Sequence, residues 1–195
     1  MKNWNILIAG VGGQGTLLAS RVLGALAVAA GADVKVSEVH GMAQRGGSVV
    51  TFVKIAHKVH TPIIEPGDAN VLLAFEQLEA LRYAPSVREN GLLLLNTQRI
   101  LPMPVIMGKQ SYPQEVVATL KTRNAQVQAV DALALAQKAG NAKAVNTVML
   151  GLLSRNMDFD EALWLQALRQ CIPAKLLEVN LKAFEEGRRA CDVLE

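Results

Sequence analysis

The chain is poor in aromatic residues. Phe, Trp and Tyr make up 4% of its 195 residues, against 51% hydrophobic residues overall. A core must therefore be built mainly from Ala, Val, Leu and Ile, which suits buried parallel strands and close-packed helices. Cysteine is scarcer still. Cys171 and Cys191 are the only two, too few for a disulfide framework and without metal-ligand spacing. The four thiolates of an iron–sulfur cluster cannot come from this chain alone, and no metal site is expected on it.

Charge of one sign is not concentrated either. Lys and Arg number 20 and Asp and Glu 17, a formal net charge of +3. Cations such as Arg82, Arg88, Arg99 and Lys109 are scattered, and no basic run is interleaved with aromatics, so nucleic acid is not an expected partner. The apolar run "VLGALAVAAGA" is too short to span a bilayer. No signal-peptide pattern precedes the first strand. The expected setting is a reducing cytoplasm without membrane attachment. Repeats, low-complexity tracts and long linkers are also missing. One domain over residues 1–195 is expected, with an α/β core over 1–131 and a helical part over 132–195.

What is present alternates between strand and helix. "WNILIAG", "ANVLLAFE" and "GLLLLNT" are continuous apolar runs that read as central strands. "DVKVSEV" alternates and reads as a half-exposed strand, and "SVVTFVKI" as the next. "PVIMG" and "AQVQAVD" are further strand expectations. "QGTLLASRVLGALAVAAG" reads as a helix stopped at Gly31. Leu18, Val22, Ala25, Leu26 and Ala29 share one face of it, but the opposite face is also apolar, so cover on more than one side is expected. "PQEVVATLKTR" reads as a helix with Pro113 at its start. From Ala132 the pattern is helical, with Val145, Val148, Met149, Leu152 and Leu153 on one face. The fold class expected is α/β: a Rossmann-like open sheet with a helical C-terminal third.

The first strand and helix meet in "AGVGGQG". Gly10, Gly12 and Gly15 stand at G-x-G-x-x-G spacing, with Gly13 and Gln14 between them. Glycines there permit a tight turn and close backbone approach. The following helix presents unpaired N–H groups and the positive end of its dipole, a setting for a phosphate or carboxylate. Glu38 follows Gly15 by 23 positions, near the place of an acid that holds a ribose hydroxyl. The structural alternative is a turn that only packs strand on helix.

Val39 to Gly47 spans nine residues with no helical period. A parallel crossover needs a dozen or more. Strands two and three are therefore expected to be antiparallel in an otherwise mostly parallel sheet, where a dinucleotide fold would place a second crossover helix. The connecting loop, "HGMAQRGG", carries His40, Gln44 and Arg45 among Gly41, Gly46 and Gly47. Arg45 could clamp a carboxylate, a phosphate or a partner's acid bidentately, or simply pair with Glu38.

Glu76 and Asn96 follow buried strands, at the carboxyl edge where open α/β sheets bind ligands. For Glu76 a helix cap over "EQLEALRY" is the favoured reading. Asn146 and Asn180 lie beside apolar helix faces and are expected to tie helices to the sheet. His57 and His60 read as surface residues. No G-x-S-x-G, nucleophilic Cys/His pairing or Walker lysine is present.

Four stretches together carry a resemblance: "IAGVGGQGTLLASRVLGALA", "SEVHGMAQRGGSV", "PGDANVLLAFEQLEALR" and "AGNAKAVNTVMLG". They resemble the gamma-type domain of 2-oxoacid:ferredoxin oxidoreductases, and within that family the beta subunit of the indolepyruvate enzymes. "EVNLKAFEEGRRA" fits as well, so the resemblance covers nearly the whole chain. It implies oxidative decarboxylation of 2-oxoacids, aryl pyruvates in particular, to acyl-coenzyme A with reduction of ferredoxin. It implies a large alpha subunit carrying thiamine diphosphate, Mg and iron–sulfur clusters, with coenzyme A as co-substrate. This chain would be inactive alone. The glycine turn and the His40–Gly47 loop would face the alpha subunit, near the coenzyme A path. The resemblance assigns no catalytic residue here. Two other readings stand beside it. One is a self-sufficient NAD(P) or flavin oxidoreductase resting on Gly10, Gly12, Gly15 and Glu38. The other is a pure assembly module, able to form a homodimer when isolated.

Overall fold

The computed structural model describes residues 2–41, 45–123 and 126–194. Among them, six strands form one sheet: β1 (Trp4–Val11), β2 (Asp33–His40), β3 (Ser48–Ala56), β4 (Ala69–Ala74), β5 (Val87–Asn96) and β6 (Gln126–Val130). Their order is β2-β3-β1-β4-β5-β6. β1, β4, β5 and β6 are parallel neighbours. β3 runs antiparallel to both β1 and β2. The short connection after β2 turns the chain straight back, and β3 is inserted between β1 and β2.

Helices cover both faces, which explains the unbroken apolar runs. Alternation along β1 sends Ile6 and Ile8 to one side and Leu7 and Ala9 to the other. On the Ile6 side lie α1 (Thr16–Ala29) and four later helices: α5 (Ala132–Ala139), α6 (Val145–Ser154), α7 (Glu161–Cys171) and α8 (Ala174–Leu194). Val148, Leu152, Trp164 and Phe184 bury into the same core as Leu23 and Leu26 of α1. On the Leu7 side lie α2 (Gln77–Tyr83), α3 (Met103–Ile106) and α4 (Val116–Arg123). α6 and α8 touch backbone to backbone. A Cβ at Gly151 would stand 2.0 Å from the Phe184 carbonyl, and one at Gly187 1.9 Å from that of Val148.

Three sequence expectations are corrected. "PVIMG" is not a strand. Residues Met103–Ile106 form the single turn α3, and the N–H groups of Lys109 and Gln110 bond back to the Pro104 carbonyl. Pro102 and Pro104 lack the donors that a ladder needs. α4 starts at Val116, not at Pro113, because Glu115 takes a φ of +50° that breaks the helix there. On α1 the buried face runs through Ala19, Val22, Leu23, Leu26 and Ala27, while Ala29 is exposed. The sheet sets that face, and an all-round apolar helix gives little sign of which side it will be.

Candidate functional site

The glycine turn joins β1 to α1 at the carboxyl edge of the sheet, and the Gln14 side chain closes it. Its Oε1 accepts from the Val11 N–H at 2.8 Å, and its Nε2 donates to the Phe75 carbonyl at 2.8 Å and to Gln98 Oε1 at 3.2 Å. Gln14 therefore ties the turn to the ends of β4 and β5. Gly10 is buried under it: a Cβ there would meet Gln14 Oε1 at 3.1 Å and Phe75 Cβ at 3.3 Å. Gly13 and Gly15 adopt φ values of +107° and +84°, where L side chains are strained. A Cβ on Gly15 would also lie 2.4 Å from Asn146 Nδ2.

Asn146 donates to the Gly15 carbonyl at 3.3 Å, so it seats α6 on the turn rather than on a strand. Asn180 accepts from Thr147 Oγ1 at 2.7 Å and joins α8 to α6. The expected helix-to-sheet ties are thus helix-to-turn and helix-to-helix ties. Both amides are buried and use their partners there.

The two sequence motifs meet through their backbones. Gly12 N–H donates to the Gly47 carbonyl at 2.8 Å, and the Gly12 carbonyl accepts from Gly46 N–H at 3.3 Å. These bonds prolong the β1–β3 ladder past the Val11–Ser48 pair. Gly41, Arg45 and Gly46 are exposed and Gly47 is half-buried. Gln44 lies outside the described residues. Glu38 accepts from Thr51 Oγ1 at 3.2 Å. His40 Nδ1 lies 3.0 Å from the Gly41 carbonyl, which it meets as a donor in the matching tautomer.

α1 opens at Gly15 without a side-chain cap. Two hollows of about 390 Å³ each flank the turn at this helix start. The first is lined by Gly12, Gly13, Gly15, Thr16, Leu17, Glu38, His40 and Val49. The second lies across the turn and is lined by Gly13, Gln14 and Gly15 together with Gln98, Leu133, Ala142, Lys143 and Val145. The structure thus brings Glu38 and His40 to the glycine turn although β3 separates their strand from β1. Sequence reasoning missed Gln98 and Lys143. The strand-end rule that pointed to Asn96 also reaches Gln98, two positions on. Lys143 has no such signal.

Glu76 lines neither hollow. It is buried and caps α2, its Oε2 accepting from the Glu79 N–H at 3.0 Å. Its Oε1 accepts from the Ile100 N–H at 3.1 Å and from the Tyr112 hydroxyl. Burial, and then the bond to Glu76, raise the Tyr112 hydroxyl far above the usual phenol range. Asn96 is equally buried, donating to the Phe75 carbonyl at 3.0 Å and accepting from the Ala132 N–H at 3.2 Å. Ser48, directly after the loop, donates to Glu79 Oε2 at 2.5 Å. Burial pushes the Glu79 carboxyl up, against the lowering effects of Ser48 and Arg82. His60 sits with Lys54 and Lys58 in a separate hollow at the far end of β3. The Cys171 thiol is half-buried and that of Cys191 buried, and among the described residues no group of three or more His, Cys, Asp or Glu could hold a metal ion. No described helix is long and apolar enough to cross a membrane. The arrangement offers backbone donors and a positive dipole end suited to an anionic group.

Residues 5–190 match the family model for pyruvate ferredoxin/flavodoxin oxidoreductases. The chain belongs to that family. It is 40% identical over 195 residues to the indolepyruvate oxidoreductase subunit IorB of Thermococcus kodakarensis, covering 97% of this chain and 96% of the relative. In structure it is similar to the gamma subunit of the keto/oxoacid ferredoxin oxidoreductase of Geobacter sulfurreducens PCA. That match has a TM-score of 0.72 at 22% identity and covers 97% of this chain and 99% of the other. The same fold occurs within a longer chain, the 2-oxoglutarate:ferredoxin oxidoreductase of Magnetococcus marinus, solved with 2-oxoglutarate, coenzyme A and succinyl-CoA bound. There the TM-score is 0.73 at 20% identity, covering 100% of this chain and 32% of that one.

Proposed function

We propose that this chain is the small, gamma-type subunit of an indolepyruvate-type 2-oxoacid:ferredoxin oxidoreductase. With a large alpha subunit it converts aryl pyruvates to acyl-coenzyme A and passes the electrons to ferredoxin in the cytoplasm. The observation that carries this reading is the near full-length 40% identity to an indolepyruvate oxidoreductase subunit. Thiamine diphosphate with Mg and iron–sulfur clusters, held by the alpha subunit, supplies carbanion and electron-transfer chemistry. The two thiols of this chain do not fit a cluster, which needs four ligands. This chain's own share is binding and positioning. The uncapped start of α1 accepts an anionic group, in this reading a phosphate of coenzyme A. The exposed Arg45 meets an acidic group of the alpha subunit.

The test is co-expression with the alpha subunit of the same organism, followed by purification through a tag on this chain. A stable complex is expected, weakened by Arg45→Ala. Failure of the unaltered chains to associate contradicts the reading. One observation favours the nucleotide alternative: Glu38 lines the same hollow as the glycine turn. Micromolar binding of NAD(H), NADP(H) or a flavin by the isolated chain would establish it.

A further inference from the structure

We propose that the hollow between the start of β1 and the loop after β3 is a binding site for a doubly charged phosphate group, free or carried by a small molecule. This goes beyond the reading of the chain as a small subunit and does not rest on it.

Three basic side chains converge on this hollow. Lys54, Lys58 and His60 line it together with Asn3, Asn5 and Thr61, and among the described residues no carboxylate does. Neither ammonium has an ion-pair partner among the described residues. The register adds a further cation, since Lys35 of β2 stands directly opposite Lys54. Like charges so placed on neighbouring strands are destabilising, and both lysines are half-buried rather than fully solvated. An anion in the hollow would remove that cost. The nearby acids are already engaged. Asp33 Oδ2 accepts from the Val59 N–H at 2.8 Å, and Asp68 Oδ2 from Asn5 Nδ2 at 2.8 Å. The Asp33 bond and the burial of Val59 fix the loop that carries Lys58 and His60. The basic side chains are thus brought together on a preformed rim, which lowers the ordering cost of binding.

The donor set and the size select the ligand. Ammonium groups act as point charges that suit a tetrahedral phosphate, whereas a planar carboxylate favours an arginine fork, which this hollow lacks. The Thr61 Oγ1 accepts from the Ile63 N–H at 3.3 Å, which leaves its hydrogen for a phosphate oxygen. The volume of about 300 Å³ is at the small end of ligand pockets. The hollow is separate from the glycine turn. Asn5, opposite Lys54 on β1, precedes Gly12 by seven positions, about 23 Å of strand.

The experiment titrates the full chain at low salt with inorganic phosphate, pyrophosphate, ADP and malonate, followed by melting temperature and backbone amide NMR shifts. Lys54→Gln/Lys58→Gln is compared with Lys121→Gln/Lys175→Gln, which removes two exposed lysines elsewhere. Pyrophosphate is expected to raise the melting temperature of the unaltered chain and to shift the amides from Lys54 to Thr61. The hollow variant is expected to bind about tenfold more weakly or worse, for the loss of two charged donors, with the control unaffected. Without ligand it should melt no lower than the unaltered chain, because Lys54→Gln relieves the repulsion from Lys35. Tighter binding of ADP than of pyrophosphate at these amides makes a phosphorylated small molecule the occupant, and the reverse makes it the free anion. Absence of phosphate binding, equal weakening in both variants, or malonate binding as tight as that of pyrophosphate overturns the proposal. So do shifts confined to Gly12–Leu17, or a ligand-free hollow variant that melts lower. Each of these leaves the subunit reading intact, since that reading is tested by association with the alpha subunit.

Discussion

Gly12 and Gly47 share a backbone hydrogen bond of 2.8 Å. It makes one unit of two motifs that lie far apart in sequence. The turn after β1 is held from one side by the loop before β3 and from the other by Asn146 of α6. A dinucleotide fold would have β2 beside β1, whereas here β3 occupies that place. The glycine turn is thereby built into a rigid edge, with an uncapped helix start between two hollows.

Gly13 and Gly15 separate backbone strain from steric clash. Both have positive φ, but a Cβ on Gly13 meets nothing within 4 Å, whereas one on Gly15 meets Asn146 at 2.4 Å. Gly13→Ala is expected to cost about 1–2 kcal/mol from backbone strain. Gly15→Ala should cost clearly more, because the buried Asn146 amide must also turn away from the Gly15 carbonyl. Denaturant unfolding of the two variants measures the difference, and equal losses would remove the seating role of Asn146.

Gln14→Ala leaves the Val11 N–H without this acceptor, while the Phe75 carbonyl keeps the Asn96 amide. A loss of about 1–3 kcal/mol is expected for a polar group stranded in a part-buried site. Gln14→Glu should not restore stability, since an ionised carboxylate cannot donate to the Phe75 carbonyl. Recovery by Glu in urea unfolding would show that Gln14 acts only as an acceptor.

Glu79 gives the fold a pH dependence of definite sign. Its carboxyl is raised by burial in the native state, so the folded chain holds the proton more tightly than the unfolded chain. The stabilisation is present below the ordinary carboxylate range and is lost as pH rises through the raised native value. Ser48, Arg82 and the Glu76 carboxylate are the groups that face it. Glu79→Gln should flatten the fall in stability above the ordinary carboxylate range, measured by denaturant unfolding across pH. An unchanged profile would mean that the fall arises elsewhere.

Much of this edge was legible from local pattern. Continuous apolar runs marked β1, β4 and β5, and the nine residues from Val39 to Gly47 forced β3 to run backwards. The order in which β3 enters the sheet was not legible, because it depends on which distant strand offers the better-buried neighbour. "PVIMG" misled because a short apolar run reads as a strand, while its prolines preclude a ladder. The cap role of Glu76 was visible from its place before "EQLEALRY". Its grip on Ile100 and Tyr112 was not, since those partners are 24 and 36 residues away. Gln14 stood in the motif, but nothing local told a ligand-facing amide from one folded back onto the sheet.

The central claim is that this chain works only as part of a larger oxidoreductase. The most direct measurement is dye reduction dependent on indolepyruvate and coenzyme A. It would be run with this chain alone, with the larger subunit alone, and with the co-expressed complex. The account predicts turnover by the complex and none by this chain by itself. Turnover by this chain alone, or full activity of the larger subunit without it, would contradict the account.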